Sequence, residues 1–261
     1  MIDFFLAPVL SCFSARFYQG RLRGSQTRGF LYIGYLSFLF SLGLLFAFQT
    51  RGLPATDELV HWIGNNTPAL TFTREGVRMS IDQPLLLAHP QWGALFYFDP
   101  QSDFPRAEDL QKAMVVIARK QVAFHGPRGN QYRIQDLTPR GGLKKWRDLT
   151  LTGIKIIDNW GKIKPFLAVI FLGTAFLGIY LWKLLAGLFY SLIGLLWNRF
   201  RKERLGYPSI LNLTFFAMGP ITLIQIASAV FPLIPPVLGL FPVALIVTSA
   251  YLAFGILQSQ T

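Results

Sequence analysis

Three histidines, one cysteine and thirteen carboxylates are all the chain offers for metal, nucleophilic or acid–base chemistry. His61, His89 and His125 have no Cys or carboxylate at metal-ligand spacing. They read as surface or turn histidines, so no metal site is expected. Cys12 stands alone, which excludes a disulfide framework within one chain. Asp99, Asp103, Glu108 and Asp109 cluster around Pro100 and Pro105. Acids favour the first turn of a helix, so this cluster reads as loop and helix-start chemistry. There is no Walker loop, no G-x-G-x-x-G and no nucleophile elbow. No catalytic residue and no cofactor are expected, and the chain does not read as an enzyme. One charge stands out: Lys183 lies inside an otherwise uncharged apolar run. In a helix starting at Phe166 it sits about 26 Å along, near a membrane surface. The expectation is that its long stem snorkels to the interface. Ion-coupled carriers bury acidic residues in their spans, and no expected span here contains Asp or Glu.

The elements that carry these residues are set by three apolar runs: Phe30 to Phe48, Phe166 to Trp197, and Ile210 to Leu257 with a break at Pro232 to Pro236. About 20 apolar residues cross a bilayer core roughly 30 Å thick. The expected fold is an α-helical polytopic membrane protein with about four transmembrane helices and an inserted β-rich α+β extracytoplasmic domain. Residues 1–28 form a cytoplasmic or interfacial helix, and 29–48 the first span. Residues 49–142 form the β-rich domain, 143–164 an amphipathic helix, and 165–261 the other three spans. The first apolar run exceeds the usual 7–15 residue signal-peptide core, so it reads as an uncleaved anchor.

Composition agrees. The chain is 52% hydrophobic and 15% charged, against about 25% charged in a soluble domain. Residues 49–165 hold sixteen Lys and Arg against eleven Asp and Glu, a net +5 of the +12 total. The rest of the excess concentrates at Arg16, Arg21, Arg23 and Arg28, and at Arg199, Arg201, Lys202 and Arg204. Short basic clusters flanking spans mark the cytoplasmic side, so both termini are expected there. No nucleic-acid partner is expected.

Ile2 to Tyr18 is apolar but broken by Asp3 and Pro8. It fits an interfacial helix, with Phe4, Phe5, Leu6, Val9, Leu10 and Phe13 dipping inward, or a helix packed on the bundle. In the polar middle, Thr56 to Asn66 reads as a helix. Ala69 to Thr73 and Val77 to Ile81 flank Arg74-Glu75-Gly76 as a hairpin. Four or five further short strands and a helix at Arg106 to Ala113 follow. From Leu143 to Lys164, Trp146, Leu149, Gly153, Ile156, Ile157, Trp160 and Ile163 fall in an arc of about 120°. This helix packs on the β-rich domain or lies on the membrane. In the second case Trp146 and Trp160 sit in the interface, with Lys155 and Lys162 toward lipid phosphates. Membrane lipids are thus expected partners.

Phe166 to Trp197 fits one long or kinked helix better than two short spans hinged at Lys183, which would put Arg199 to Arg204 outside. In the third span, Gly219-Pro220 signals a kink. Asn212, Gly219 and Thr222 share a face that is expected to meet Gly187, Ser191 and Gly194 of the second span.

Phe17-Tyr18 leading into Arg28-Gly-Phe-Leu-Tyr-Ile-Gly-Tyr-Leu, Thr67-Pro68 through Gly76, Gln83-Pro84, and Asn212 through Gly219-Pro220 together resemble a bacterial membrane family. That family is domain of unknown function 1189, related to Yip-type integral membrane proteins. Where its members often carry Ile-Asp-Thr, this chain has Phe98-Asp99-Pro100. The resemblance covers nearly the whole chain and implies the topology above, with no established reaction or cofactor.

The functional expectation is a non-enzymatic accessory or scaffold protein of the bacterial inner membrane, whose external domain binds a membrane or periplasmic protein partner. A carrier or channel component, suggested by the kink and Lys183, and a lipid-handling role, suggested by the amphipathic helix, are the alternatives.

Single cysteines test the topology in intact cells. An impermeant maleimide should label position 128 and spare position 203 and Cys12. Labelling at 203 with none at 128 overturns the map.

Overall fold

The computed structural model of the chain describes residues 6–14, 17–18, 26–125, 132–137, 149–201, 203–231 and 241–258. The helices are α1 (Ala7–Phe13), α2 (Gln26–Ala47), α3 (Leu53–Asn66), α4 (Gly153–Asn198), α5 (Tyr207–Ala217), α6 (Gly219–Val230) and α7 (Phe241–Gln258). A π-helical turn at Phe48–Gly52 joins α2 to α3. Eight strands lie between α3 and α4. The chain divides into a helical unit, residues 1–53 with 166–261, and a β-rich unit, residues 54–165.

Three helical runs are long and apolar enough to cross a membrane: Thr27–Asn66, Gly153–Asn198 and Tyr207–Val230. A shorter apolar helix covers Pro242–Leu257. By length and composition these helices are consistent with a membrane protein.

In the helical unit, contact order along the helices fixes their directions. Gly29 of α2 faces Asn212 and Phe215, and Gly43 faces Ile226, so α2 runs alongside α5 and α6 in the same sense. Gly187 of α4 meets Phe215 while Gly194 meets Ile210, so α4 runs the opposite way. Glycine is needed here because the facing side chains occupy the space of a Cβ. Tyr32, Ile33, Leu36, Leu213, Phe216 and Leu252 form the core between them. α1 turns Ala7, Pro8 and Ser11 into the unit and leaves Val9 and Phe13 exposed. It therefore packs on the bundle with one face and presents an apolar face outward.

Arginines close the two ends of this unit. Arg51 donates to the Val230 carbonyl at 2.6 Å, capping the end of α6. Arg201 donates to the Ile256 carbonyl at 2.9 Å, near the end of α7. Both meet carbonyls that a helix end leaves without a partner.

The β-rich unit has a three-stranded sheet, ordered β2-β1-β8, and a five-stranded sheet, ordered β3-β4-β5-β6-β7. The strands are β1 (Leu70–Thr73), β2 (Gly76–Met79), β3 (Leu85–His89), β4 (Gly93–Asp99), β5 (Val115–Ala118), β6 (Gln121–His125), β7 (Tyr132–Asp136) and β8 (Thr150–Leu151). Only β4–β5 is parallel among the described pairs. The expected hairpin forms as β1–β2, with Thr73 opposite Gly76. Gly76 has φ +132°, and a Cβ there would run into the Arg119 carbonyl. Alternation along β4 sends Phe98 into a core with Val77, Leu87 and Trp62, and Tyr97 into a second with Val116 and Ala123.

Three expectations change. The helix foreseen from Leu143 begins at Gly153, and residues 143–148 lie outside the described set. Thr150 and Leu151 pair instead with Thr71 and Leu70, because the edge of β1 offers them backbone partners that outweigh helical periodicity. Arg106 to Ala113 is a series of hydrogen-bonded turns rather than a helix. It must drop Leu110 and Ala113 onto Val116 within a short crossover, which a straight helix would not do. The helix foreseen at Thr56 to Asn66 does not stand alone, since the helical run continues unbroken from Thr27. The run from Phe166 to Trp197 is a single helix, part of the 46-residue α4 with Pro165 inside it.

α3 and α4 touch at Gly64 and Gly153, where a Cβ on Gly153 would overlap the Gly64 carbonyl. Gly161, two turns on, has open space around it. Gly153→Ala should therefore destabilise the β-rich unit by about 1–3 kcal/mol. Gly161→Ala should be neutral or stabilise by up to about 1 kcal/mol. Thermal unfolding in detergent compares them; equal shifts would show that the close approach does not matter.

Candidate functional site

The buried stripe of α4 within the helical unit is Lys183, Ala186, Gly187, Tyr190, Ser191, Gly194 and Asn198, at helical spacings of three and four. Its other residues, such as Val169, Leu185 and Leu192, are exposed and apolar. Lys183 therefore points into the bundle and is only 4% exposed. It does not snorkel to an end. Phe171 stacks on Phe48, just past the end of α2, at 4.6 Å. Counted from there, Lys183 is about 18 Å along α4. Its ammonium lies 5.8 Å from the ring centre of Phe40, in the middle third of α2.

The ammonium donates to Thr222 Oγ1 at 2.7 Å and to Gln225 Oε1 at 3.3 Å. Both acceptors are placed by the break between α5 and α6. α5 ends at Ala217, Met218 is the junction, and Pro220 occupies the first turn of α6, where its missing N–H costs nothing. Thr222 Oγ1 donates to the Met218 carbonyl at 2.7 Å. A hydroxyl has one proton, so that bond leaves its lone pairs to face Lys183. Gln225 follows three residues later, on the same face.

No carboxylate reaches this cation among the described residues. The helical unit has only two, Asp3 and Glu203. Asp3 lies outside the described residues. Glu203 is exposed beyond the end of α4, at least about 22 Å of helix away. Beside the ammonium is a cavity of about 570 Å³, lined by Phe40, Leu44, Trp182, Tyr190, Gln225 and Ala244 among others. That is the size of an ordinary small-molecule site, with mostly apolar walls and few polar groups. The arrangement can hold an anion or dipole at a fixed point inside the bundle.

The residues singled out for helix packing are all buried but meet different partners. Gly187 packs on Phe215, and Gly194 on Ile210 and Leu252. Ser191 donates to the Leu188 carbonyl at 2.7 Å and lies 3.0 Å from the Tyr207 hydroxyl. Asn212 instead faces Gly29 of α2, and Gly219 faces Ser11 and Tyr32. Of the expected face on the third span, Thr222 alone is seen to meet α4, through Lys183. The α5–α6 break explains this, since a helix interrupted at Met218 does not keep one face in register across it.

In the β-rich unit, Trp160 donates to Asp57 Oδ1 at 2.6 Å, and Lys164 donates to Asp57 Oδ2 at 2.6 Å. The Lys164 hydrogen bond, then that of Trp160, holds the Asp57 carboxyl below the usual range. A lowered folded value means that its contribution is complete above the ordinary carboxylate value, about 4, and is lost as pH falls below it. Lys155 donates to the Thr150 carbonyl at 2.7 Å, and Lys162 pairs with Asp158 at 2.6 Å. Trp146 lies outside the described residues. Asp99 accepts from the N–H groups of Gln101 and Ser102, Asp103 pairs with Arg119 and Lys120, and Asp109 pairs with Lys112. The acidic cluster is spent on its own loop and on the turn between β5 and β6. Arg28, Arg199 and Arg204 are exposed; Arg16, Arg21, Arg23 and Lys202 lie outside the described residues.

The chain belongs to the family described as "Protein of unknown function (DUF1189)", whose model matches residues 7–256, both units included. No curated protein and no solved structure matches it.

A buried ion costs several kcal/mol of desolvation, and two neutral acceptors offset part of it. In delipidated protein, Lys183→Met should leave stability unchanged or raise it by about 1–4 kcal/mol. Thr222→Val, which strands the ammonium, should lower it by about 1–3 kcal/mol. Thermal unfolding in detergent reads both, and equal destabilisation by the two would contradict a strained cation.

Proposed function

We propose that this chain is a non-enzymatic, four-span protein of the bacterial inner membrane that holds a lipid-like ligand between its spans. The observation that carries this reading is Lys183, a cation buried at mid-bundle beside a mostly apolar cavity, bonded only to neutral oxygens among the described residues. Ionisable groups at membrane depth are expensive and mark binding or transport sites. One cation with no acid, base or nucleophile at bonding distance among the described residues suits holding better than catalysis.

The sidedness rests on the arginines. Arg28 precedes the apolar part of α2, Arg199 and Arg204 follow α4, and Arg201 caps Ile256 near the end of α7. Positive charge gathered at one end supports a cytoplasmic location for that end and for both termini. The β-rich unit is then extracytoplasmic.

A second reading, a scaffold whose β-rich unit binds a protein, is favoured by β7. It is the last strand of its sheet and leaves Ile134 53% exposed. An exposed strand edge can accept a partner's strand.

Purification in mild detergent followed by native mass spectrometry separates the two. A stoichiometric small molecule on wild type, lost from Lys183→Met, is expected. A stoichiometric protein and no small molecule would favour the scaffold. Identical small-molecule occupancy in wild type and variant would overturn the ligand reading.

A further inference from the structure

We infer that the Lys183 cavity takes a single monoanionic amphiphile, with its charged head at the ammonium and its chain along Phe40, Leu44 and Ala244. This rests on the ligand-holding reading above and names the ligand's chemistry. An ammonium has three donors, and two are met by Thr222 and Gln225. The third has no oxygen acceptor among the described residues, only the face of the Phe40 ring at 5.8 Å. An anion placed in the adjoining cavity would receive that proton and balance the charge in one contact. Charge-assisted bonds of this kind are about twice as strong as neutral ones.

The rest of the lining sets the remainder of the ligand. Phe40, Leu44, Ile179, Ile221 and Ala244 offer apolar surface and no second cation. A polyanion would bury uncompensated charge, and a small hydrophilic anion would leave the apolar walls unfilled. A neutral amphiphile would fill the walls but leave the cation without its counter-charge. Access comes from the side of α4: Trp182 lines the cavity yet is 61% exposed, and a Cβ placed on Gly178, which also lines it, would meet open space. An amphiphile already dissolved in the bilayer can enter there without crossing water.

The head can be the carboxylate of a free fatty acid or the phosphodiester of a phospholipid, and the experiment separates these sources. Equilibrium binding to the full-length protein in detergent is measured for palmitate, phosphatidylglycerol and hexadecanol, on wild type and Lys183→Gln. Palmitate should bind about tenfold or more tighter than hexadecanol, and the preference should disappear in Lys183→Gln. Phosphatidylglycerol binding with the same Lys183 dependence assigns the phospholipid source and supports the same head chemistry. Hexadecanol binding as tightly as palmitate, or a preference that survives in Lys183→Gln, overturns the monoanion while leaving a ligand-holding cavity. If none of the three binds wild type, both readings fall. The Lys183→Met unfolding measurement shows whether the bundle tolerates loss of the cation, so lost binding is not mistaken for lost fold.

Discussion

Among apolar helices long enough to cross a membrane, a polar group has little but the protein to bond with, and Lys183 meets that constraint through a neighbouring helix. The ammonium needs oxygen acceptors within the bundle. Thr222 and Gln225 supply them. They can do so because the third apolar run is divided at Met218 into α5 and α6. The break turns Asn212 toward α2 and Thr222 toward α4, so that one stretch of sequence serves two neighbours.

Around that point, packing depends on where side chains are absent. Gly187 and Gly194 admit Phe215 and Ile210 against α4, and Gly29 admits Asn212 against α2. Lipid tails are as apolar as leucine, so helices gain little by burying apolar surface against each other; close approach and hydrogen bonds must hold them. The β-rich unit follows the rules of an aqueous core. Phe98 and Tyr97 point to opposite faces of β4 and anchor two apolar clusters, while Gly64 and Gly153 let α3 and α4 touch.

The apolar runs, the hairpin at Gly76 and the single long helix after Phe166 were legible in sequence because each is set by local composition or by one residue's conformational freedom. The start of α4 was not. Thr150 and Leu151 lie within the stretch that reads as one helix, yet a strand edge distant in sequence claims them. Nor were the turns at Arg106 to Ala113, whose residues suit a helix but whose backbone closes only short turns. Lys183 was visible as an anomaly, but its burial was not, because its acceptors lie on another helix about forty residues away in sequence. What pointed the right way was the pair Thr222 and Gln225, polar, in-span and three residues apart. Phe40 and Tyr190 carried no such signal, since aromatic residues are common in every span of this chain.

The energetic position of Lys183 bears on what the bundle is for. Removing a cation from water costs several kcal/mol, and hydrogen bonds to charged groups return about 1.5–3 kcal/mol each. A methionine at the same place would fill the space without that deficit. The fold itself therefore has no need of the charge, and the glycine contacts on either side would form without it. Under the proposed reading, an anion in the adjoining cavity would change the sign of the balance. It would supply a charged acceptor where water does not screen the attraction, so binding would recover part of the desolvation that Lys183 bears. The cost of the buried cation would then be the source of selectivity: a neutral lipid could occupy the walls of the cavity but could not relieve the charge.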